Sequence, residues 1–153
     1  MRRLLLVAMV ASTLAACAPP ENAQAACSGN APLALMAESV PTAAFVPCVR
    51  ALPPGWAFDT FTAQDEGTTF TLARDAGGTA EVTLKARCAA SDGTAAGEAR
   101  TVSPNGTTTT WVRAFDGGCV RERVVLPNAD PNEASSVHSA IDLVPRASVA
   151  PSR

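Results

Sequence analysis

Six side chains could carry chemistry that the rest of the chain must serve: the thiols of Cys17, Cys27, Cys48, Cys88 and Cys119, and the imidazole of His138, the only histidine. A thiol can be acylated, oxidised to a disulfide or bound to a metal. Imidazole is the one side chain whose ordinary charge change falls near neutral pH. Cys17 stands apart at the end of an apolar N-terminal run, which leaves Cys27, Cys48, Cys88 and Cys119 as an even set. Their spacings contain no C-x-x-C and no neighbouring histidine, so a zinc site or a thioredoxin-like pair is a poor fit. In an oxidising compartment the four read as two structural disulfides. Three connectivities are open, and nearest-neighbour pairing, Cys27 with Cys48 and Cys88 with Cys119, is preferred. Each bridge would close a loop of roughly 20 to 30 residues and stabilise by about 3 kcal/mol through the unfolded state.

A reaction needing a neutral-pH base would fall on His138, and Ser135, Ser136 and Ser139 lie close to it. No G-x-S-x-G context accompanies them, so the serines read as the flank of a helix and no catalytic residue is assigned. Asp65-Glu66, Asp75 and Asp116 sit beside glycines in turn-like clusters, where aspartate is favoured by its own backbone hydrogen bonds. No calcium loop or phosphate-binding loop is present, and no metal or cofactor is expected. The chain is not read as an enzyme.

The N-terminus explains Cys17. Met1-Arg2-Arg3 is a basic start, residues 4–13 form an apolar segment, and Leu14-Ala15-Ala16 supplies the small-residue exit of an export signal. The segment is about half of the roughly 20 residues that span a bilayer, so the mature protein is expected to be anchored rather than spanning. Leu14-Ala15-Ala16-Cys17 resembles the lipobox of bacterial lipoproteins. That resemblance implies cleavage before Cys17 and a diacylglyceryl thioether on its sulfur. A single acyl chain holds a protein only marginally, whereas two chains anchor it stably. Cleavage after Ala23-Gln24-Ala25 would instead release a soluble protein, but that site lies beyond Pro19-Pro20, far from the apolar run. The expected location is the cell membrane, lipid-anchored on its extracytoplasmic face.

Cleavage before Cys17 leaves about 137 of the 153 residues, enough for one domain. Five Phe, two Trp and no Tyr make a thin core of Val, Leu, Ile and Ala, in which cross-links matter. The formal charge of −2 becomes −4 once Arg2 and Arg3 leave with the signal, so nucleic acid is not an expected partner.

Residues 1–16 are assigned to the signal, 17–29 to the lipidated cysteine and a flexible tether, 30–146 to one globular domain, and 147–153 to a disordered tail. Residues 33–40 are apolar enough to lie against the domain, and Pro41, Pro47, Pro53 and Pro54 exclude a long helix or central strand nearby. An irregular covering segment or a helical turn at residues 42–46 is expected there. Trp56-Ala57-Phe58 and Phe70-Thr71-Leu72 flank the turn cluster at residues 64–67 as a hairpin. Val82, Leu84 and Ala86 alternate with Glu81, Thr83, Lys85 and Arg87 as a half-buried strand. Residues 89–106 read as a long polar connection ending in an Asn105-Gly106 turn. Residues 107–115 and 119–126 form a second hairpin. Asp130, Pro131 and Glu133 make a D-x-x-E helix start, with Ala134, Val137, Ile141 and Val144 as its apolar stripe and Pro145 as its end. The fold class is α+β: an antiparallel sheet of about five strands with one C-terminal helix packed on it, stapled by two disulfides. A small β-sandwich is the alternative.

On that framework Lys85 and Arg87 point away from the core on one strand, as do Arg121 and Arg123 on another. Trp111 and Arg113 share one face of a third strand and could join them. Such a face could dock an anionic envelope polymer, a lipid headgroup or an acidic protein. The plainer alternative is a solvated face whose cations pair with Glu81 and Glu122.

Val46-Pro47-Cys48-Val49, the Leu52 to Trp56 segment, Arg87-Cys88 and Gly117-Gly118-Cys119-Val120 resemble segments of small secreted or lipid-anchored proteins of unknown function from high-GC bacteria. The resemblance supports the disulfide framework and implies no activity. The combined expectation is a membrane-anchored envelope lipoprotein that binds or scaffolds an envelope protein, polymer or lipid. A small envelope enzyme using His138 and a small-ligand-binding lipoprotein are the alternatives.

Overall fold

The computed structural model describes residues 24–28, 31–65, 67–88 and 97–149. The signal, Cys17 and the first part of the tether lie outside them. The frame is an antiparallel sheet in the spatial order β2 (Trp56–Gln64), β3 (Gly67–Arg74), β4 (Thr79–Lys85), β7 (Gly118–Val125), β6 (Thr108–Phe115), β5 (Gly97–Val102). Alternation along the central strands decides which face is covered. β4 buries Ala80, Val82 and Leu84 and exposes Thr79, Glu81 and Lys85, while β7 turns Val120, Glu122 and Val124 inward and exposes Arg121 and Arg123. The β6–β7 turn needs glycine: Gly117 has φ 66°, and a Cβ there would run into the carbonyl of Thr42.

A second layer covers the inward face. Helix α1 (Ala31–Ser39) packs on β2 and β3, and helix α2 (Pro131–Ala140) packs on β6 and β7. Between them run β1 (Phe45–Val49) and β8 (Ile141–Pro145), paired antiparallel from Phe45↔Pro145 to Val49↔Ile141. Met36, Val46 and Val137 from this layer join Phe70, Leu72, Val82, Leu84 and Val120 of the sheet in one core. Ser39 ties the end of α1 to the sheet through a hydroxyl hydrogen bond with the buried Thr68. Ala26 bridges Val49 in parallel, so the chain enters the domain on this covering layer.

The disulfides join Cys27 to Cys48 and Cys88 to Cys119, the pairing preferred from sequence. The first fastens the entering segment to β1, and the second fastens Cys88, in the segment that follows β4, to β7, where Lys85 lies opposite Cys119.

The α+β class and the antiparallel sheet are as expected, but the details differ. The described residues form eight strands rather than about five, and two helices, one of them near the N-terminal end of the domain. The layer facing the six-stranded sheet is two helices and a two-stranded ladder, not the second full sheet of a β-sandwich. The polar connection at 89–106 contains β5, which completes the sheet beyond β6. The C-terminal helix stops at Ala140, and Ile141 and Val144 belong to β8, because pairing with β1 satisfies their backbone groups. Residues 42–46 make no helical turn, since Phe45 and Val46 start β1, and Pro47 is tolerated in that two-stranded ladder.

Two boundaries also shift. Ala25 is fully buried and the Val49 N–H donates to its carbonyl at 2.7 Å, so the tether ends before residue 29. At the other end Arg146–Ser148 form a 3-10 turn, the Arg146 N–H donates to Ala44 O at 2.9 Å, and Val149 packs on the core, so residues 147–149 belong to the fold.

Candidate functional site

Helix α2 begins as its sequence predicts. The Asp130 side chain accepts from the N–H groups of Asn132 and Glu133, with Pro131 in the first turn. The Glu133 side chain does not complete a capping box. It pairs with Arg74 at 2.6 Å and accepts from Trp56 Nε1 at 3.2 Å, pinning this end of the helix to the far side of the sheet.

His138 pins the other end. Its Nδ1 lies 2.6 Å from Glu122 Oε2, and its Nε2 lies 3.6 Å from Glu98 Oε2. Its ring stacks on Trp111 with centroids 4.6 Å apart and planes 6° from parallel. Glu122 is 1% exposed and pairs with Arg113 as well. Arg113 donates to the Ile141 carbonyl at 3.3 Å, which ties the network to β8, and its Nε has no partner among the described residues. The Arg100 guanidinium lies 5.4 Å from the Trp111 ring centre, within cation–π range. A carboxylate taken out of water must be paired and hydrogen-bonded, and Arg113 and His138 do this for Glu122.

The network has a histidine bonded to a carboxylate, as in many acid–base sites, but the nearby serines do not serve it. Ser135 Oγ donates to Pro131 O and Ser139 Oγ to Ser135 O, each at 2.8 Å within α2. Among the described residues no group of His, Cys, Asp and Glu is arranged to hold a metal ion.

The six residues assigned from sequence to one binding face fall on two. Trp111 lies opposite Glu122 and Arg113 opposite Val120, on the inward face, and Trp111 is 3% exposed. They therefore cannot join the arginines of β7 on one face, contrary to the expectation from sequence. The cause is the strand period: the β6 register sets Trp111 beside Glu122, on the face opposite Arg121 and Arg123. Of the cations expected to pair with Glu81 and Glu122, Arg113 does pair with Glu122, on the inward face, while the same register turns Arg121 and Arg123 away from it.

Lys85, Arg121 and Arg123 do share the open face. Thr83 lies opposite Arg121 and Glu81 opposite Arg123. Among the described residues none of Lys85, Arg87, Arg121 and Arg123 makes an ion pair within 4.0 Å, with Glu81 or any other carboxylate. Lys85, Arg87 and Arg121 line an open depression of about 390 Å³ with Glu81, Thr83 and the Cys88–Cys119 bridge. A second depression of about 610 Å³ shares Glu81, Thr83 and Lys85 and continues across the sheet to Thr69, Thr62, Gln64 and Asp65.

Sequence reasoning missed Glu98, Arg100, Glu122 and Glu133 as partners, and the threonines as part of a lined surface. One signal was available for Glu122, which sits between Val120 and Val124 at inward-facing spacing, where a carboxylate must find a cation or a donor. Comparison with known proteins gives no match to a family model, a curated protein or a solved structure.

Proposed function

We propose that this chain is a membrane-anchored envelope lipoprotein whose domain is a binding module, and that it binds through the open face of the six-stranded sheet. The anchor rests on the lipobox-like Leu14-Ala15-Ala16-Cys17 directly behind the apolar run. The observation that carries the binding reading is charge segregation. A chain of formal charge −2 places Lys85, Arg121 and Arg123 on the exposed sheet face, unpaired among the described residues, and pairs its half-buried Arg113 with the buried Glu122. Unpaired cations of one sign on an exposed face attract an anionic partner and speed its encounter.

The other reading, a small envelope enzyme using His138, draws on the hydrogen bond to Glu122. Against it, both ring nitrogens face carboxylates, one ring face is covered by Trp111, and the hydroxyls of Ser135 and Ser139 are committed to helix carbonyls. The network accounts for how α2 is fastened to the sheet without any reaction.

Crosslinking and affinity capture of the intact lipoprotein from its own envelope tests the binding face. The Arg121→Ser/Arg123→Ser protein is expected to lose the partners that the parent retains; equal capture would remove the assignment. Metabolic acyl labelling of the parent and Cys17→Ala proteins tests the anchor, and label retained after Cys17→Ala would sink it.

A further inference from the structure

The open face is not evenly charged. Its two depressions meet at Glu81, Thr83 and Lys85, making one trough from β7 across β4 and β3 to β2. At the β7 end stand Lys85, Arg87 and Arg121 with a single carboxylate, Glu81. The far end is lined by Thr62, Gln64 and Thr69, with Asp65 at the rim. These groups are neutral hydrogen-bonding side chains except for Asp65. Thr69 and Thr83 hydroxyls, 3.1 Å apart, form a bridge between the two ends. Cys88 is bonded to Cys119 with Cα atoms 5.5 Å apart, so the residue following Arg87 is tethered to the strand that carries Arg121. That tether holds the arginines near each other before any ligand arrives, which reduces the ordering cost of binding.

We propose that this trough binds a phosphorylated sugar or polyol unit of an envelope polymer, with the phosphate among Lys85, Arg87 and Arg121 and the hydroxyls along Thr83, Thr69, Thr62 and Gln64. This rests on the reading of the open face as the binding face. Three cations against Glu81 leave an excess of two positive charges, which matches a phosphomonoester better than a carboxylate. Arginine also presents a planar fork that meets two phosphate oxygens at once. Hydroxyl and amide side chains can both donate to and accept from sugar hydroxyls. The chain enters the domain at Ala26 on the covering layer, opposite the trough, and this favours a polymer beyond the bilayer over the headgroups around the anchor.

Isothermal titration of the intact lipoprotein in detergent with glucose 6-phosphate, inorganic phosphate and glucose tests the assignment. Glucose 6-phosphate is expected to bind most tightly, and Arg87→Ser/Arg121→Ser to weaken both phosphate-bearing probes about tenfold or more, the scale of losing charge-assisted hydrogen bonds. Thr62→Ala/Gln64→Ala is expected to weaken glucose 6-phosphate several-fold and leave inorganic phosphate unchanged. All four residues are outside the core, and thermal melts of the variants that overlay the parent confirm that the fold is kept. Absence of glucose 6-phosphate binding at millimolar concentration, or equal binding by the arginine variant, overturns the proposal. So does arginine-dependent binding to phosphatidylglycerol vesicles without sugar-phosphate binding, which would make the ligand a headgroup. Should the sugar phosphate fail while Arg121→Ser/Arg123→Ser still abolishes envelope capture, the binding face stands and only the ligand assignment falls.

Discussion

Arg121, Glu122 and Arg123 are consecutive on β7, yet they belong to different environments. Glu122 points inward and is fixed by Arg113 and His138 beneath α2, while the two arginines point outward and have no carboxylate partner among the described residues. Inward, the Glu122 carboxylate is met by both Arg113 and His138, and only Arg113 Nε lacks a partner among the described residues. The outward charges are held in position by the strand and meet no carboxylate within 4.0 Å among the described residues. Buried polar groups on this scaffold thus fasten elements to each other, and the cations without an ion-pair partner among the described residues sit on the opposite face. A histidine with a carboxylate is on the fastening face, so its geometry alone is a weak sign of catalysis.

The sharpest way to break this contrast is to remove Glu122. Glu122→Ala leaves Arg113, whose side chain is 17% exposed, facing a cavity without its carboxylate, and is expected to cost about 3–5 kcal/mol in urea unfolding. Glu122→Leu combined with Arg113→Met should recover much of that loss, because an apolar pair of similar size avoids the cost of desolvating both charges. If Glu122→Ala costs less than about 1 kcal/mol, the inward network is not what holds α2.

Next in size is the covalent staple of the covering layer. Cys27 and Cys48 are 21 residues apart, and replacing both with Ser is expected to destabilise by about 3 kcal/mol. Denaturation of that variant against the parent under non-reducing conditions measures it. A loss much smaller than this would mean that the Ala26–Val49 bridge and the burial of Ala25 hold the entering segment unaided.

The contrast between the faces also shows what could be read from sequence. Strand alternation in β4 and the turn residues of both hairpins were legible, because period-2 patterning and turn chemistry are local. The N-cap of α2 was legible for the same reason: Asp130 bonds groups two and three residues away. The end of α2 was not, since Ile141 and Val144 fit a helical stripe and only pairing with the distant Phe45–Val49 segment makes them a strand. β5 was hidden in a run of small polar residues and is recognisable only by its ladder with β6. The face proposed for binding was half legible. Arg121, Arg123 and Lys85 could be placed by alternation within their own strands, but setting Trp111 and Arg113 against them needed the β6–β7 register, which no local pattern encodes.

Replacing Arg121 and Arg123 together is the smaller counterpart of the Glu122 experiment on the same strand. Arg121→Ser/Arg123→Ser should change stability by no more than about 0.5 kcal/mol while reducing capture of envelope partners, because neither guanidinium is paired within the described fold. A loss of 2 kcal/mol or more would show that the open face is structural after all, and would weaken the binding reading with it.

The smallest expected effect comes from an ion pair that resembles Arg113–Glu122 in chemistry but not in burial. Arg50 donates to Asp142 at 2.6 Å, with side chains 68% and 42% exposed, so water screens the pair and its contribution is slight. The hydrogen bond from Arg50 holds the Asp142 carboxyl below its ordinary value of 3.8, with burial pulling the other way. A carboxyl whose folded pKa is depressed stabilises fully above its unfolded pKa and loses that contribution as pH falls through the folded value. The parent and Asp142→Asn proteins should therefore differ slightly in urea midpoint at pH 6, keep that difference down to about pH 4, and converge only as the pH falls further, through the depressed folded value. A gap that persists undiminished at pH 2 would assign the effect to the Leu143 N–H, which donates to Asp142 Oδ1 at 2.9 Å, rather than to the charge of Arg50.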